Sequence, residues 1–166
     1  MAVAPAGYSR GEHDGFGTIG VAYDGGQESK DALAFATDLA GELDCHVQLL
    51  TVEPLYPDAE PSAAREWAYQ ERHKAGLRSV DGPAEGVFDR GDPAKALARH
   101  AVDLDLLVVG TRSHGRILRA ALGSVSSELM RTCPCPLVVV PRSAGERVAD
   151  TQVKSVADTD ARPAGR

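Results

Sequence analysis

Short continuous runs of apolar residues alternate along this chain with longer stretches in which apolar residues recur at helical spacing. Five short segments predict strands, at 18–23, 46–52, 84–89, 104–109 and 136–140, and the apolar runs at 106–109 and 137–140 suit well-covered positions in the sheet. Four stretches predict helices, at 32–43, 62–80, 93–100 and 124–132. Strands that alternate with helices pair in parallel through right-handed crossovers. We therefore predict an α/β fold, a doubly wound five-stranded parallel sheet with helices on both faces.

The loops that follow three of the strands form the expected ligand-binding edge. In such sheets, ligands bind beyond the carboxyl ends of the strands, where the direction of winding reverses. These loops begin with Asp24-Gly25-Gly26, with Glu53-Pro54 and with Gly110. The third loop runs from 110 to 124 and leads directly into a predicted helix, which makes it the strongest candidate.

The 110–124 loop combines glycines, arginines and a helix start. Glycine lets the backbone approach a ligand closely, and a helix N-terminus attracts phosphate through its N–H groups and dipole. Arg112, Arg116 and Arg119 add positive charge. The loop therefore predicts a phosphate site. Ser124 also suits a helix N-cap and Asp24 a turn cap, so cap and ligand contact both stay open for these two residues.

With these residues in view, the chain resembles the universal stress proteins. Nucleotide-binding members carry Gly, two residues, Gly, nine residues, then Gly-Ser or Gly-Thr. The corresponding positions here are Gly110, Ser113, Gly123 and Ser124. Further matches lie at 21–25, 91–93, 125–126 and 135–136, so that the resemblance spans about residues 17 to 142.

The resemblance implies the strand order 3-2-1-4-5, counted from the strand at 18–23. It also implies an adenine nucleotide as ligand, which is ATP, or AMP or ADP in its place, with Mg²⁺ as a companion ion. Ala22, Asp24 and Val52 would line the adenine and ribose side. Ribose and phosphates would meet Gly110, Gly123, Ser124 and Val125. With the loop residues, the predicted binding set is Ala22, Asp24, Val52, Gly110, Arg112, Ser113, Gly115, Gly123, Ser124 and Val125.

Two positions depart from the family pattern. Ser113 stands where the second glycine is expected, and if that position needs a positive φ, serine is strained there by about 1 kcal/mol. Gly115 offers a substitute turn two residues later. Gly26 stands where the family often has serine. These departures keep a second function open beside nucleotide sensing in stress adaptation, namely a nucleotide-free dimeric interaction module of the same fold.

Enzymatic activity is the third and weakest alternative. The sequence contains no GxxxxGK[ST] phosphate loop, and no catalytic residue or metal ligand is assigned, so slow ATP hydrolysis or transfer is the most we expect. Cys133-Pro134-Cys135 lacks a second ligand pair at zinc spacing and is interpreted as packing. Trp67 and Tyr69 are likewise interpreted as packing or a partner surface.

The two ends of the chain are predicted to lie outside the domain at 17–142. Residues 1–16 are interpreted as an extension and linker, and 143–166 as a disordered tail. Met1–Pro5 resembles the end of the last strand, Val138–Pro141. The segment is then either the remnant of a preceding tandem domain or an ordinary disordered N-terminus. The family resemblance implies a homodimer through the last strand at 137–140, or pairing with a tandem domain.

The amino-acid composition excludes some classes of binding partner. Of 166 residues, 18 are basic and 24 acidic, a formal charge of −6 that argues against nucleic-acid or membrane binding. Residues 111–142 reverse this balance with 5 basic and 1 acidic side chains. Three cysteines, no secretory signal pattern and no membrane-length apolar run predict a cytoplasmic protein. The positive charge is thus concentrated on the predicted phosphate loop.

Overall fold

The fold is known from a computed structural model that describes residues 1–5, 17–55, 62–111 and 123–141. The strands are β1 (Ala2–Val3), β2 (Thr18–Ala22), β3 (His46–Pro54), β4 (Ala84–Gly91), β5 (Leu106–Thr111) and β6 (Leu137–Pro141). The helices are α1 (Gln27–Leu43), α2 (Ala63–Arg78), α3 (Pro93–His100) and α4 (Ser124–Thr132), with a short 3₁₀ helix at Ala101–Asp103. Of the predicted extension and linker at 1–16, residues 6–16 lie outside the described residues, as does the predicted tail at 143–166.

Strands β2 to β6 form the predicted parallel sheet. The order across the whole sheet is β1-β6-β5-β2-β3-β4. Central β2 pairs in parallel with β3 and β5, and the outer pairs β3–β4 and β5–β6 are also parallel. Counted from the strand at Thr18, the five parallel strands follow the order 3-2-1-4-5. The predicted doubly wound α/β fold is confirmed.

One correction concerns the number of strands. The sheet has six strands rather than five, because β1 adds to the outer edge of β6 in antiparallel orientation, with Ala2 opposite Val138 and Val3 opposite Leu137. The terminal amino group of Met1 donates to the Val139 carbonyl at 2.9 Å, and the Val139 N–H donates back at 2.7 Å. Ala2 and Val3 therefore form an edge strand of the same sheet.

The core consists of two apolar layers, one on each face of the sheet. Successive side chains of a strand point to opposite faces, so Leu106 and Val108 of β5 join one layer and Leu107 and Val109 the other. The first layer is covered by α1, through the small residues Ala32, Ala36 and Ala40 and the larger Leu33. The second is covered by α3 and α4, whose main contribution is Leu97 and Leu129.

Helix starts follow the local sequence. The carboxylate of Asp92 accepts from the Lys95 N–H at 3.0 Å and Pro93 occupies the first turn of α3, so this helix begins where the sequence predicts it, at 93. The Ser62 hydroxyl caps α2 in the same way. α1 begins at Gln27, earlier than the predicted start at 32. Its first turn is largely polar, so the apolar repeat at 32–43 does not reveal it. None of the helices in the described ranges is long and apolar enough to cross a membrane.

Candidate functional site

A cavity of about 320 Å³ opens beyond the carboxyl ends of β2, β3 and β5. It is called the strand-end cavity here. Seven residues of the predicted binding set line it: Ala22, Asp24, Val52, Gly110, Gly123, Ser124 and Val125. They come from loops far apart in the chain, and the parallel sheet brings them to one edge. The other three predicted residues, Arg112, Ser113 and Gly115, lie outside the described residues.

The loop after β2 forms a tight turn at one side of this cavity. The Asp24 carboxylate accepts from the Gly26 N–H at 2.8 Å, so Asp24 caps the turn as well as lining the cavity. Gly25 has φ +81°, a conformation that favours glycine. The Ser29 hydroxyl donates to the Gly26 carbonyl at 3.0 Å and fixes the first turn of α1. Burial, with Asp24 as a lesser cause, raises the pKa of the neighbouring Tyr23, which keeps its hydroxyl neutral.

Helix α4 begins at the opposite side. Its N-cap is Gly123 and no side chain caps it, whereas Ser124 is the first residue of the helix and is exposed. The interpretation of Ser124 as an N-cap is therefore wrong by one position. The Ser126 hydroxyl donates to the Gly123 carbonyl at 3.0 Å. Because Gly123 has no side chain, position 123 provides no side-chain cap for the N–H groups of the first turn. Such a helix start suits an anion.

The two glycines of the motif have different local environments. A Cβ on Gly110 would overlap the backbone carbonyl of Glu28, so glycine is required there for β5 to pack against the start of α1. At Gly123 the nearest atom to an added Cβ is the Ser126 hydroxyl oxygen, at 3.8 Å, and φ is an ordinary −59°. Among the described residues, there is room for a side chain at Gly123. Unlike Gly110, Gly123 is therefore not required by any described neighbour.

The sequence reasoning missed several residues that line the cavity. They are Tyr23, Glu28, Ser29, Pro54, Tyr69, Pro93, Leu97, Val109 and Ser126. Tyr69 is the most informative, because it was interpreted as packing or partner surface. The Arg72 guanidinium lies 5.3 Å from the centre of its ring, and neighbouring Trp67 is 65% exposed. The available signal was topological, since α2 follows β3 and its first half lies near the carboxyl edge of the sheet.

The described walls of the cavity are apolar and acidic. Val52, Leu97 and Val109 supply apolar surface, while Asp24 and Glu28 are the charged residues. No lysine or arginine of the described ranges lines it. Beside the cavity, buried Glu53 is paired with Arg90 at 3.0 Å, and Arg90 also contacts Glu66. A phosphate at this site would therefore depend on helix N-termini and on positive charge from a cation or from the 112–122 segment.

Comparison with known proteins identifies the family of the chain. Residues 15–141 match the model of the universal stress protein family. A Thermus aquaticus protein described as a universal stress protein in the QAH/OAS sulfhydrylase 3′ region is 32% identical over 138 residues, which cover 75% of this chain and 98% of that protein.

Solved structures show the same fold. A universal stress protein in complex with cAMP is 25% identical, with a TM-score of 0.60 over 78% of this chain and 100% of that one. An Arabidopsis thaliana universal stress protein family protein with AMP bound is 22% identical, with a TM-score of 0.56 over 78% and 94%. With a family match over most of its length and a relative of such identity and coverage, the chain belongs to the universal stress protein family.

Proposed function

We propose that the strand-end cavity binds an adenine nucleotide, with ATP as the first candidate and AMP or ADP as the others. The observation that carries the proposal is the convergence of seven motif residues on one cavity at which α1 and α4 both begin. A relative 25% identical is known in complex with cAMP, which supports an adenine nucleotide as the ligand class.

In this proposal, the apolar wall receives the base and the glycine-rich wall receives the phosphates. Val52 and Leu97 offer apolar contact, and the Tyr69 ring offers a π-face beside them. The Gly123–Val125 segment presents uncapped N–H groups at the positive end of the α4 dipole. Asp24 and Glu28 would repel bare phosphate, so the proposal includes Mg²⁺ between these carboxylates and the nucleotide.

The family is involved in stress response, and the role that we propose here is that of a nucleotide-dependent sensor or regulatory module. We assign no catalytic residue to the cavity and expect slow ATP turnover at most. We further propose a cytoplasmic location, because all three cysteines are free thiols, which suits a reducing compartment.

The proposal is tested on the purified protein. Acid denaturation followed by mass spectrometry should release an adenine nucleotide, and calorimetric titration should show binding of ATP that strengthens with Mg²⁺. Parallel titrations with AMP, ADP and cAMP rank the ligands. If nothing is released and no heat is detected up to millimolar ATP, the nucleotide-free interaction module takes the place of this proposal.

A further inference from the structure

Two cysteines lie close together at the end of α4 that is remote from the strand-end cavity. Cys133 follows the last residue of α4, Cys135 stands just before β6, and Pro134 separates them. Their sulfur atoms are 3.7 Å apart. At this distance the two sulfur atoms are already in contact. A small rotation of the side chains would bring them to the S–S bond length of a disulfide, about 2.05 Å.

The pair lines a second cavity, of about 180 Å³, which is called the cysteine cavity here. Its walls are Val3–Pro5 at the start of the chain, Leu129–Arg131 of α4, both cysteines and Leu137. Cys133 is half-buried and Cys135 only 5% exposed. A small reagent that enters this cavity meets the sulfur of Cys133 more readily than that of Cys135.

The two thiols also differ in acidity, and the more accessible one, that of Cys133, is the more acidic. The hydrogen bond from Cys135 is the main cause that lowers the pKa of Cys133 to about 7. The same bond and burial raise the pKa of Cys135, whose thiol also lies 3.4 Å from the Pro136 carbonyl oxygen. Exposed Arg131 adds a positive charge to the wall. Cys133 is thus suited to be the attacking thiolate, and Cys135 the thiol that resolves the product.

We propose that Cys133 and Cys135 form a redox-active dithiol that reacts with low-molecular-weight disulfides. The Cys133 thiolate attacks one sulfur of the disulfide, forms a mixed disulfide and releases the first small thiolate. Cys135 then loses its proton to water, attacks the sulfur of Cys133 and releases the second small thiolate. The protein gains one disulfide and loses two electrons and two protons, while the reagent becomes two thiols.

The third cysteine provides an internal control. Cys45 is buried in the core layer under α1. Burial, and then the charges of Asp105 and Asp44, raise the pKa of its thiol. It has no sulfur neighbour among the described residues. We therefore expect Cys45 to stay reduced under conditions that oxidise the pair.

The test uses the full chain and glutathione redox buffers of increasing oxidised fraction. Quenching with an alkylating agent and digestion with trypsin separate the cysteines, because Cys133 and Cys135 share the peptide 132–142 and Cys45 lies in 31–65. After oxidation, the 132–142 peptide should carry no alkyl group and be two hydrogens lighter than its reduced form. The 31–65 peptide should still be alkylated at Cys45. At pH 7, alkylation of reduced Cys133 should exceed that of Cys45 by about tenfold or more.

Two variants assign the roles. Cys135→Ser should accumulate glutathione on Cys133, because the resolving thiol is gone, while Cys133→Ser should yield neither product. Cys45→Ser should react like the unchanged chain. The proposal is overturned if the 132–142 peptide stays reduced when Cys45 is oxidised, if Cys135→Ser holds no glutathione, or if Cys133 and Cys45 alkylate at equal rates in the unchanged protein.

Discussion

Helix α4 begins at the strand-end cavity and ends at the cysteine cavity, and its two ends offer opposite electrostatics. At Gly123–Ser124 the N–H groups and the positive dipole end favour an anion directly. At Cys133 the negative dipole end disfavours a thiolate, so the lowered pKa there depends on the hydrogen bond from Cys135. One end therefore owes its chemistry to the helix and the other to a single side chain.

The largest effect is expected at Gly110, which faces the start of α1. Gly110→Ala forces a Cβ onto the Glu28 carbonyl and should lower the free energy of unfolding by about 3 kcal/mol, as measured by chemical denaturation. Stability within experimental error of the unchanged protein would show that β5 and α1 separate easily, and Gly110 would then return to the set of glycines explained by a ligand.

Gly123→Ala should change the stability little and the affinity for ATP strongly, in contrast to Gly110→Ala. Because the nearest atom is 3.8 Å from the added Cβ, unfolding should change by less than about 1 kcal/mol, within the usual cost for a surface change. The affinity for ATP should fall about tenfold, equal to 1.4 kcal/mol, because the methyl group would occupy the position that we propose for phosphate. Calorimetric titration of both glycine variants with ATP measures these affinities. Equal affinity in Gly123→Ala and the unchanged protein would contradict phosphate binding at this helix start.

At the other end of α4, Cys135→Ala removes the hydrogen bond that stabilises the Cys133 thiolate. The pKa of Cys133 should rise from about 7 towards the ordinary thiol value, and its alkylation at pH 7 should slow by about tenfold. The measurement is the rate of alkylation as a function of pH. A midpoint that stays near 7 would show that Arg131, rather than Cys135, sets the acidity of Cys133.

Ser124→Asp separates stability from binding at the helix start. A carboxylate in the first turn of α4 should stabilise the fold by about 0.5 kcal/mol through the helix dipole, and it should weaken ATP by repulsion. Ser124→Asn, which has nearly the same shape as Asp but no charge, is the matched control at the same position. Thermal unfolding and calorimetry should therefore move in opposite directions. Tighter ATP binding in Ser124→Asp would place the phosphates elsewhere.

The smallest effect is expected from β1. Val3→Pro removes a backbone N–H at the sheet edge, so β1 should detach from β6 and open the cysteine cavity. Alkylation of Cys133 should rise about twofold, while ATP binding stays unchanged. The exposed β6 edge should also pair with a second copy, and light scattering after gel filtration would report the dimer. Val3→Ala, which keeps the backbone, should do neither.

The sequence predicted the five parallel strands because continuous apolar runs and capped helix starts act locally and agree with each other. Asp92-Pro93 shows this for α3, which begins at the predicted position 93 because the carboxylate caps the helix and proline occupies its first turn. The likeness of Met1–Pro5 to the end of the last strand raised the possibility of a strand remnant there, but the pairing of β1 was not predicted. Two residues carry no periodicity, and only the free edge of β6 gives them partners. Pairing across the whole chain is not a local property.

The candidate site was predictable as far as the motif extends. Gly110, Gly123 and Asp24 reach the strand-end cavity because strand ends and helix starts place them there. Tyr69 was missed, since the face of α2 that turns to the cavity depends on packing, which a weakly patterned helix does not reveal. The packing need for Gly110 was also missed, because it arises from contact with Glu28 across two elements.

The pairing of β1 also bears on the order in which the chain folds. The bond from Met1 to Val139 closes a loop of 138 residues, and the entropy lost on closure increases with loop length. β1 has no partner until β6 has joined β5, so its docking is among the last steps of folding. The same edge should be the first to open in the native state, and amide exchange at Ala2 and Val3 should be faster than in β5.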